Sequence, residues 1–87
     1  MDTIYRLYTE DLQRQKIYNT VSKYFLGFNV RTLQGYYKGT QEQALVIELV
    51  STASMSHVVR FLAKVIGQMN KQECVMVTAQ SIKAELV

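Results

Sequence analysis

The chain has 87 residues, a mass of 10.0 kDa and a formal net charge of +3 from ten basic and seven acidic side chains. That length accommodates one domain over residues 1–87, with a single modest core. One cysteine and one histidine exclude an internal disulfide and most thiolate or imidazole metal sites. The sequence has neither a membrane-spanning apolar run nor a signal-peptide start. We therefore expect a cytoplasmic protein without a cofactor and without a membrane partner.

The basic residues are spread along the chain, with acidic residues between them. Proteins that bind nucleic acid usually concentrate lysine and arginine on one face or one arm. The surplus charge is therefore interpreted mainly as a solubility feature. A weak attraction for phosphate-bearing partners is the alternative, and binding to nucleic acid is not expected.

The first two predicted elements are a strand and a helix. Residues 3–9 are rich in β-branched and aromatic types, which indicates a strand. A helix is predicted over 11–26, with Thr9 or Asp11 as its N-terminal cap. Gly27 is predicted to end this helix in a left-handed conformation.

Two further strands are predicted before the second helix. The first covers 28–38, where a change in the parity of the apolar residues predicts a bulge near 33–35. A polar turn over 38–43 leads to the clearest strand of the chain, 44–51. That strand is apolar on both faces except for Glu48, which indicates a central position in the sheet.

The second half of the chain predicts a helix and two strands. Apolar residues at helical spacing form one stripe over 56–69, and Asn70 is a suitable C-terminal stop. A fourth strand is predicted over 73–79. Alternation of apolar and charged residues predicts a short fifth strand over 81–87.

The order of elements is therefore β-α-β-β-α-β with a short extra C-terminal strand. This order predicts an α+β, ferredoxin-like sandwich in which two helices cover one face of an antiparallel sheet. Right-handed crossovers give the strand order 4-1-3-2.

The uncovered face of the sheet carries apolar residues and tyrosines. An exposed apolar patch of that size is unusual in a soluble monomer. We expect a homo-oligomer, dimer or trimer, formed through this face or through edge strands, with the second and fifth strands as candidates. The alternative is a monomer whose tyrosine hydroxyls and Glu48 keep the face wet.

The sequence does not favour an enzyme. Cys74 lies within a predicted apolar strand, where a free cysteine is usually a small buried hydrophobe. His57 lies in the first turn of the second predicted helix, whose positive end disfavours a charged imidazole. The chain also contains no GxGxxG, P-loop or HExxH motif.

Glu48 and Glu73 are the two carboxylates with a candidate role in binding. Glu48 interrupts an apolar strand, and a buried carboxylate needs a partner or a shifted pKa. Lys38, Arg6 or Arg31 can neutralise it across the sheet, which makes Glu48 part of a structural ion pair. The alternatives are that Glu48 or Glu73 binds a ligand or takes part in general acid–base catalysis.

The segment from Gly35 to Gly39 combines two glycines, Tyr36, Tyr37 and Lys38. Two aromatic rings and a cation suit a ring-bearing phosphorylated ligand, whereas a bulged strand entering a hairpin explains the same residues structurally. An RNA-recognition module shares the element order, but its third strand needs aromatic residues. The strand over 44–51 contains none.

Several segments together resemble small, uncharacterised bacterial and phage-borne proteins of this length. They are Tyr8-Thr9-Glu10-Asp11, Gly35-Tyr36-Tyr37-Lys38-Gly39, Glu42, Leu45-Val46-Ile47-Glu48 and Asn70-Lys71-Gln72-Glu73. More distantly, the topology resembles the trimeric PII-like and CutA-like folds, which bind ligands between subunits. The long nucleotide-binding loop of PII is missing from this chain.

The resemblance implies an accessory protein of a phage or mobile element that acts by binding, in the host cytoplasm if it is phage-borne. The expected activity is docking on a host protein and inhibiting it, for example a defence protein. The alternative is an oligomeric module that binds or sequesters a small phosphorylated, nucleotide-like ligand. The candidate binding residues for either activity are Arg6, Tyr8, Tyr36, Tyr37, Lys38, Glu48 and Glu73.

Overall fold

Four strands and two helices follow one another in the order β-α-β-β-α-β in the computed structural model, which describes residues 2–87. The elements are β1 (Asp2–Glu10), α1 (Arg14–Ser22), β2 (Asn29–Tyr37), β3 (Thr40–Ser51), a 3-10 turn (Ala53–Met55), α2 (Ser56–Met69) and β4 (Met76–Ile82). The strands form one antiparallel sheet in the order β2-β3-β1-β4. The predicted α+β, ferredoxin-like fold and its strand order are confirmed. None of the described helices is long and apolar enough to cross a membrane.

The core lies between the sheet and the two helices. In β1, buried side chains alternate with partly exposed ones, as expected for a strand with one covered face. Leu7 lies opposite Ile47 and Tyr5 opposite Leu49 in the ladder between β1 and β3. The remaining buried members of the cluster are Ile17, Val21, Leu45, Val59, Leu62, Ala63 and Ile66.

Helix α1 is shorter than predicted at both ends. Thr9 belongs to β1, and Asp11 forms an ion pair with Arg14 in place of a backbone cap. Of this helix, only Ile17 and Val21 are buried, so little packing supports a further turn. Gly27 does not adopt a positive φ and is not the stop of this helix.

The hairpin of β2 and β3 contradicts the predicted bulge and polar turn. Its register runs without interruption from Asn29 opposite Glu48 to Tyr37 opposite Thr40. The change in parity therefore moves apolar residues to the other face and inserts no residue. The turn is only Lys38-Gly39, with φ values of 51° and 77°, as a type I′ turn requires.

Helix α2 has the predicted bounds, but a different residue ends it. Asn70 keeps a right-handed conformation, and Lys71 adopts the left-handed one with φ 55°. The N–H of Gln72 donates to the carbonyl of Gly67 at 2.8 Å, and the N–H of Lys71 donates to that of Gln68 at 3.2 Å. This is a Schellman motif.

The last strand lies three residues later than predicted, and the fifth strand is absent from the described chain. Strand β4 pairs with β1 from Met76 opposite Tyr8 to Ile82 opposite Asp2. Residues 71–75 serve as the connection from α2, which shifts the strand towards the C-terminus. Residues 83–87 follow the last ladder position and form no strand with the described part of β1.

Candidate functional site

A row of polar side chains crosses the uncovered face of the sheet. The registers place Thr78, Arg6, Glu48 and Asn29 side by side, one from each strand. Apolar residues lie on both sides of this row. On one side the ladder pairs Ile4 with Val50; on the other, neighbouring positions are Met76, Tyr8 and Val46.

Glu48 is held by two arginines. The Nε of Arg6 donates to Oε2 of Glu48 at 2.7 Å, and a terminal nitrogen of Arg31 donates to the same oxygen at 2.9 Å. These hydrogen bonds, first of all that from Arg6, hold the pKa of the Glu48 carboxyl below its usual range against the opposing effect of desolvation. The proposed partners Arg6 and Arg31 are found, and Lys38 is not part of this cluster.

A groove of about 490 Å³ lies at the end of β1, where the hairpin of β2 and β3 extends beyond the rest of the sheet. One wall is the hairpin and the other is the connection from α2 to β4. The residues along it are Tyr8, Thr9, Glu10, Gly35, Tyr36, Tyr37, Lys38, Glu42, Gln43, Ala44, Lys71, Gln72, Glu73, Cys74 and Met76.

The hairpin wall supplies aromatic surface and a cation. Tyr37 is 57% exposed, and the Nζ of Lys38 lies 5.3 Å from the centre of its ring. At that distance the ammonium is attracted by the ring face. The nearest atom to a Cβ built at Gly35 is the carbonyl oxygen of Glu42 at 3.8 Å, so this part of the wall has space.

The opposite wall is fixed to the end of β1 by hydrogen bonds. The side-chain carbonyl of Gln72 accepts bonds from the hydroxyl of Thr9, from the N–H of Glu10 and from the amide of Asn70. The Asn70 amide also donates to the Thr9 hydroxyl at 2.9 Å and to the Glu10 carbonyl at 3.0 Å. The segment that carries Lys71 and Glu73 is therefore anchored to the sheet.

The groove contains charges of both signs. Lys38 and Lys71 come from opposite walls, and both hold a positive φ. Glu10, Glu42 and Glu73 lie along the same groove. The lysines can donate to a phosphate, whereas the carboxylates can accept hydrogen bonds from N–H or O–H groups of a ligand.

The structure brings together five of the seven candidate residues named from the sequence. Tyr8, Tyr36, Tyr37, Lys38 and Glu73 line the groove. The other two, Arg6 and Glu48, are engaged with each other in the polar row and do not line it.

Sequence reasoning missed Lys71, Glu10 and Glu42 as residues of the groove. All three residues occur in the segments that carry the resemblance to small bacterial and phage-borne proteins, and Lys71 also follows the predicted helix stop directly. The predicted position of Cys74 within a buried strand is wrong. Cys74 is exposed and precedes β4, because this strand begins later than predicted.

The histidine and the cysteine are not assembled as a catalytic pair. His57 lies in the first turn of α2, with Nδ1 3.0 Å from the carbonyl oxygen of Ser54. Cys74 lines a smaller cavity of about 240 Å³ together with Gly67, which lies near the other end of the helix. The ten residues from His57 to Gly67 span about 15 Å of helix. Within residues 2–87, no group of three or more His, Cys, Asp or Glu side chains is arranged to hold a metal ion.

Comparison with known proteins identifies the fold only. No family model matches the sequence. None of the curated proteins matches it. Among solved structures, a DUF3240 family protein from Shewanella baltica OS155 superposes with a TM-score of 0.75 at 12% sequence identity, over 99% of this chain and 94% of that one. That bacterial family is uncharacterised, and the likeness establishes a shared fold.

Proposed function

We propose that the protein is a non-catalytic binding module whose groove takes a small ligand with a flat ring and a phosphate, that is, a nucleotide-like molecule. The observation that carries this proposal is the convergence of Tyr37, Lys38, Lys71 and Glu73 on one concave groove. A docking surface for a protein is typically flat and apolar at its centre. A ligand site is concave, with a few convergent polar groups.

The dimensions and chemistry of the groove support the proposal. Its volume of about 490 Å³ lies within the range of small-molecule sites. The exposed ring of Tyr37 offers a stacking surface, and Lys38 beside it can meet a phosphate. Lys71 offers a second cation from the anchored wall.

The three carboxylates of the groove make the ligand more specific. Two lysines against three glutamates leave the groove with a local charge near −1. Inorganic phosphate alone is therefore expected to bind poorly. A ligand that adds a stacked ring, with amino or hydroxyl groups to donate to Glu73 and Glu42, overcomes this repulsion.

The proposal also covers the origin of the protein, its distant structural relatives and its location in the cell. A distant relation to the PII-like and CutA-like folds is supported by the shared βαββαβ order. An origin in a phage or other mobile element rests on the sequence resemblance alone. We place the binding in the cytoplasm, where phosphorylated metabolites are abundant, and in the host cytoplasm if the protein is phage-borne.

The test is calorimetric titration with the four nucleoside monophosphates, AMP, GMP, CMP and UMP. We expect at least one to bind. Tyr37→Leu and Lys38→Asn are each expected to weaken that binding about tenfold. Asn tolerates the left-handed conformation of residue 38, so the hairpin turn is preserved.

Matched controls exist outside the groove. Tyr24→Leu and Lys23→Asn remove a ring and a charge at the exposed end of α1, and both should bind like the wild type. The proposal is refuted if no nucleotide binds below about 1 mM. It is also refuted if the groove variants bind as tightly as the controls.

A second candidate function is docking on a host protein and inhibiting it, for example a defence protein. It is favoured by Tyr36, which is 73% exposed at the tip of a projecting hairpin. A protruding tyrosine gives rigid contact area and one hydrogen bond. Native mass spectrometry of the protein purified from its own host tests this candidate. A stoichiometric host protein that is lost in Tyr36→Ser supports docking; a retained small molecule alone contradicts it.

A further inference from the structure

Strand β4 is an edge strand with none of the usual protection against pairing. Its sequence, Met76–Ile82, contains no charged residue, no proline and no glycine. The ladder with β1 is continuous from Met76 to Ile82, so no bulge turns the edge away. Charged residues, prolines and bulges normally protect natural edge strands, because the free N–H and C=O groups of an edge can pair with another chain.

Two other surfaces are less suited to self-association. The opposite edge, β2, carries Arg31 and ends at the Lys38 turn. The middle of the uncovered sheet face holds the charged cluster of Arg6, Arg31 and Glu48. A two-fold contact between two such faces would have to remove these charged groups from water, which costs free energy. Strand β4 presents no such conflict.

We propose that two copies of the chain pair through β4, antiparallel and about a two-fold axis at Thr78. Two four-stranded sheets then become one sheet of eight strands. The contact is isologous, so it closes as a dimer and leaves no free β4 edge. This inference does not rest on the ligand proposed for the groove, although Glu73 belongs to both surfaces, and the tests below measure association without ligand.

The charges next to β4 select the register. With the axis at Thr78, Glu73 of one copy lies opposite Lys83 of the second copy, and this pair occurs twice. With the axis at Ala79, Glu73 lies opposite Glu85 of the second copy. Opposite charges across a ladder stabilise it and like charges destabilise it, so the first register is favoured. It also pairs Thr78 with its own copy, a favourable cross-strand pair.

The proposed pairing also gives a role to the start of the C-terminal segment. Residues 83–87 alternate like a strand but are unpaired, and the side chains of Leu86 and Val87 are fully exposed. In the dimer, Ser81, Ile82 and Lys83 lie opposite Val75, Cys74 and Glu73 of the second copy, so the pairing continues one residue past the end of β4. Ala79 and Ser81 are small and exposed, so their side chains leave room for the neighbouring strand.

Cysteine crosslinking tests both the interface and its register. Thr78→Cys, in a Cys74→Ser background, should form a disulfide-linked dimer of twice 10.0 kDa under mild oxidation. Directly opposed residues of antiparallel strands have Cα atoms about 4.5–5.5 Å apart, which suits a disulfide. Ala79→Cys in the same background is the register control and should crosslink poorly. Efficient crosslinking at 79 and not at 78 overturns the proposed register.

Charge reversal with sedimentation equilibrium provides a second measurement. Glu73→Lys and Lys83→Glu should each weaken the dimer about tenfold, and the double reversal should restore it. These positions are exposed, so circular dichroism should show the same fold for each variant. A wild-type protein that is monomeric at micromolar concentrations, or trimeric without crosslinking at 78, overturns the dimer. Equal weakening by the single and double reversals overturns the Glu73–Lys83 contact.

Discussion

The two faces of β1 and β3 are built from the same strands and have opposite characters. Towards the helices, Leu7, Ile47 and Leu49 are completely buried. Towards solvent, Val50 is 52% exposed and the ion pair between Arg6 and Glu48 occupies the middle. The covered face supplies the apolar burial that drives folding. The uncovered face is free to carry charge and binding chemistry.

Val46 shows that the uncovered face is not uniformly wet. It points away from the helices, next to Glu48 in β3, yet it is completely buried. Its ladder neighbours are Tyr8 on one side and Arg31 on the other. The aliphatic part of an arginine and a tyrosine ring can cover an apolar residue while their polar ends stay in water. The ion cluster therefore also covers a small second core.

The largest effect is expected on the covered face. Ile47→Ala removes buried methyl groups between the sheet and the helices and should lower the free energy of unfolding by about 2–5 kcal/mol. Urea denaturation measures this as a lower midpoint with an unchanged slope. A loss below about 1 kcal/mol would contradict the assignment of Ile47 to the main core.

A smaller but clear loss is expected for Val46→Ala. The side chain is as buried as Ile47, but its cover consists of long side chains that can settle into the space. We expect a loss of about 1–2 kcal/mol, measured by the same denaturation. A loss equal to that of Ile47→Ala would show that the two faces are packed equally tightly, and no loss would show that the cover is not stable.

The covered face is also the part that sequence patterns predict well. The stripe over Ser56–Met69 gave both ends of α2, because helical spacing shows directly which residues face the sheet. The strand order followed from the element order. The helix over 11–26 was overextended because only Ile17 and Val21 are anchored in the core.

The candidate site was harder to predict because its walls depend on turns. The sequence indicated Tyr37, Lys38 and Glu73 as candidate binding residues. No local sequence pattern, however, showed that Glu73 faces the hairpin of β2 and β3. That approach depends on the conformation of Lys71 and on the buried amide of Asn70, whose bonds join segments about 60 residues apart. The groove therefore appears only after the chain has folded.

An intermediate effect is expected at the ion cluster. Glu48→Gln removes the negative charge between Arg6 and Arg31 and should lower the free energy of unfolding by roughly 1 kcal/mol at neutral pH. The pKa of Glu48 is lowered in the folded state, mainly by the hydrogen bond from Arg6. Its stabilisation is therefore present above the ordinary value of 4.5 and is lost as the pH falls through the lowered value.

Urea denaturation between pH 7 and pH 2 measures this difference. The difference in the free energy of unfolding between the wild type and Glu48→Gln, called the gap below, should be constant near neutral pH and should narrow below about pH 4.5. Asp11, whose pKa is lowered chiefly by its hydrogen bond from Arg14, titrates in both proteins and does not contribute to the gap. A gap that widens towards low pH would show that the cluster does not favour the ionised carboxylate.

The smallest effect is expected at the exposed part of the uncovered face. Val50→Thr exchanges a methyl for a hydroxyl of similar size at a position that is 52% exposed, opposite Ile4. Water can solvate the hydroxyl there, and Thr suits a strand, so the free energy of unfolding should change by less than about 0.5 kcal/mol. The same exchange at Val59, which is completely buried on α2, is the matched control and should cost about 1–3 kcal/mol, because the hydroxyl loses water. If Val50→Thr costs as much as Val59→Thr, the uncovered face is dry in solution, and a second molecule must cover it.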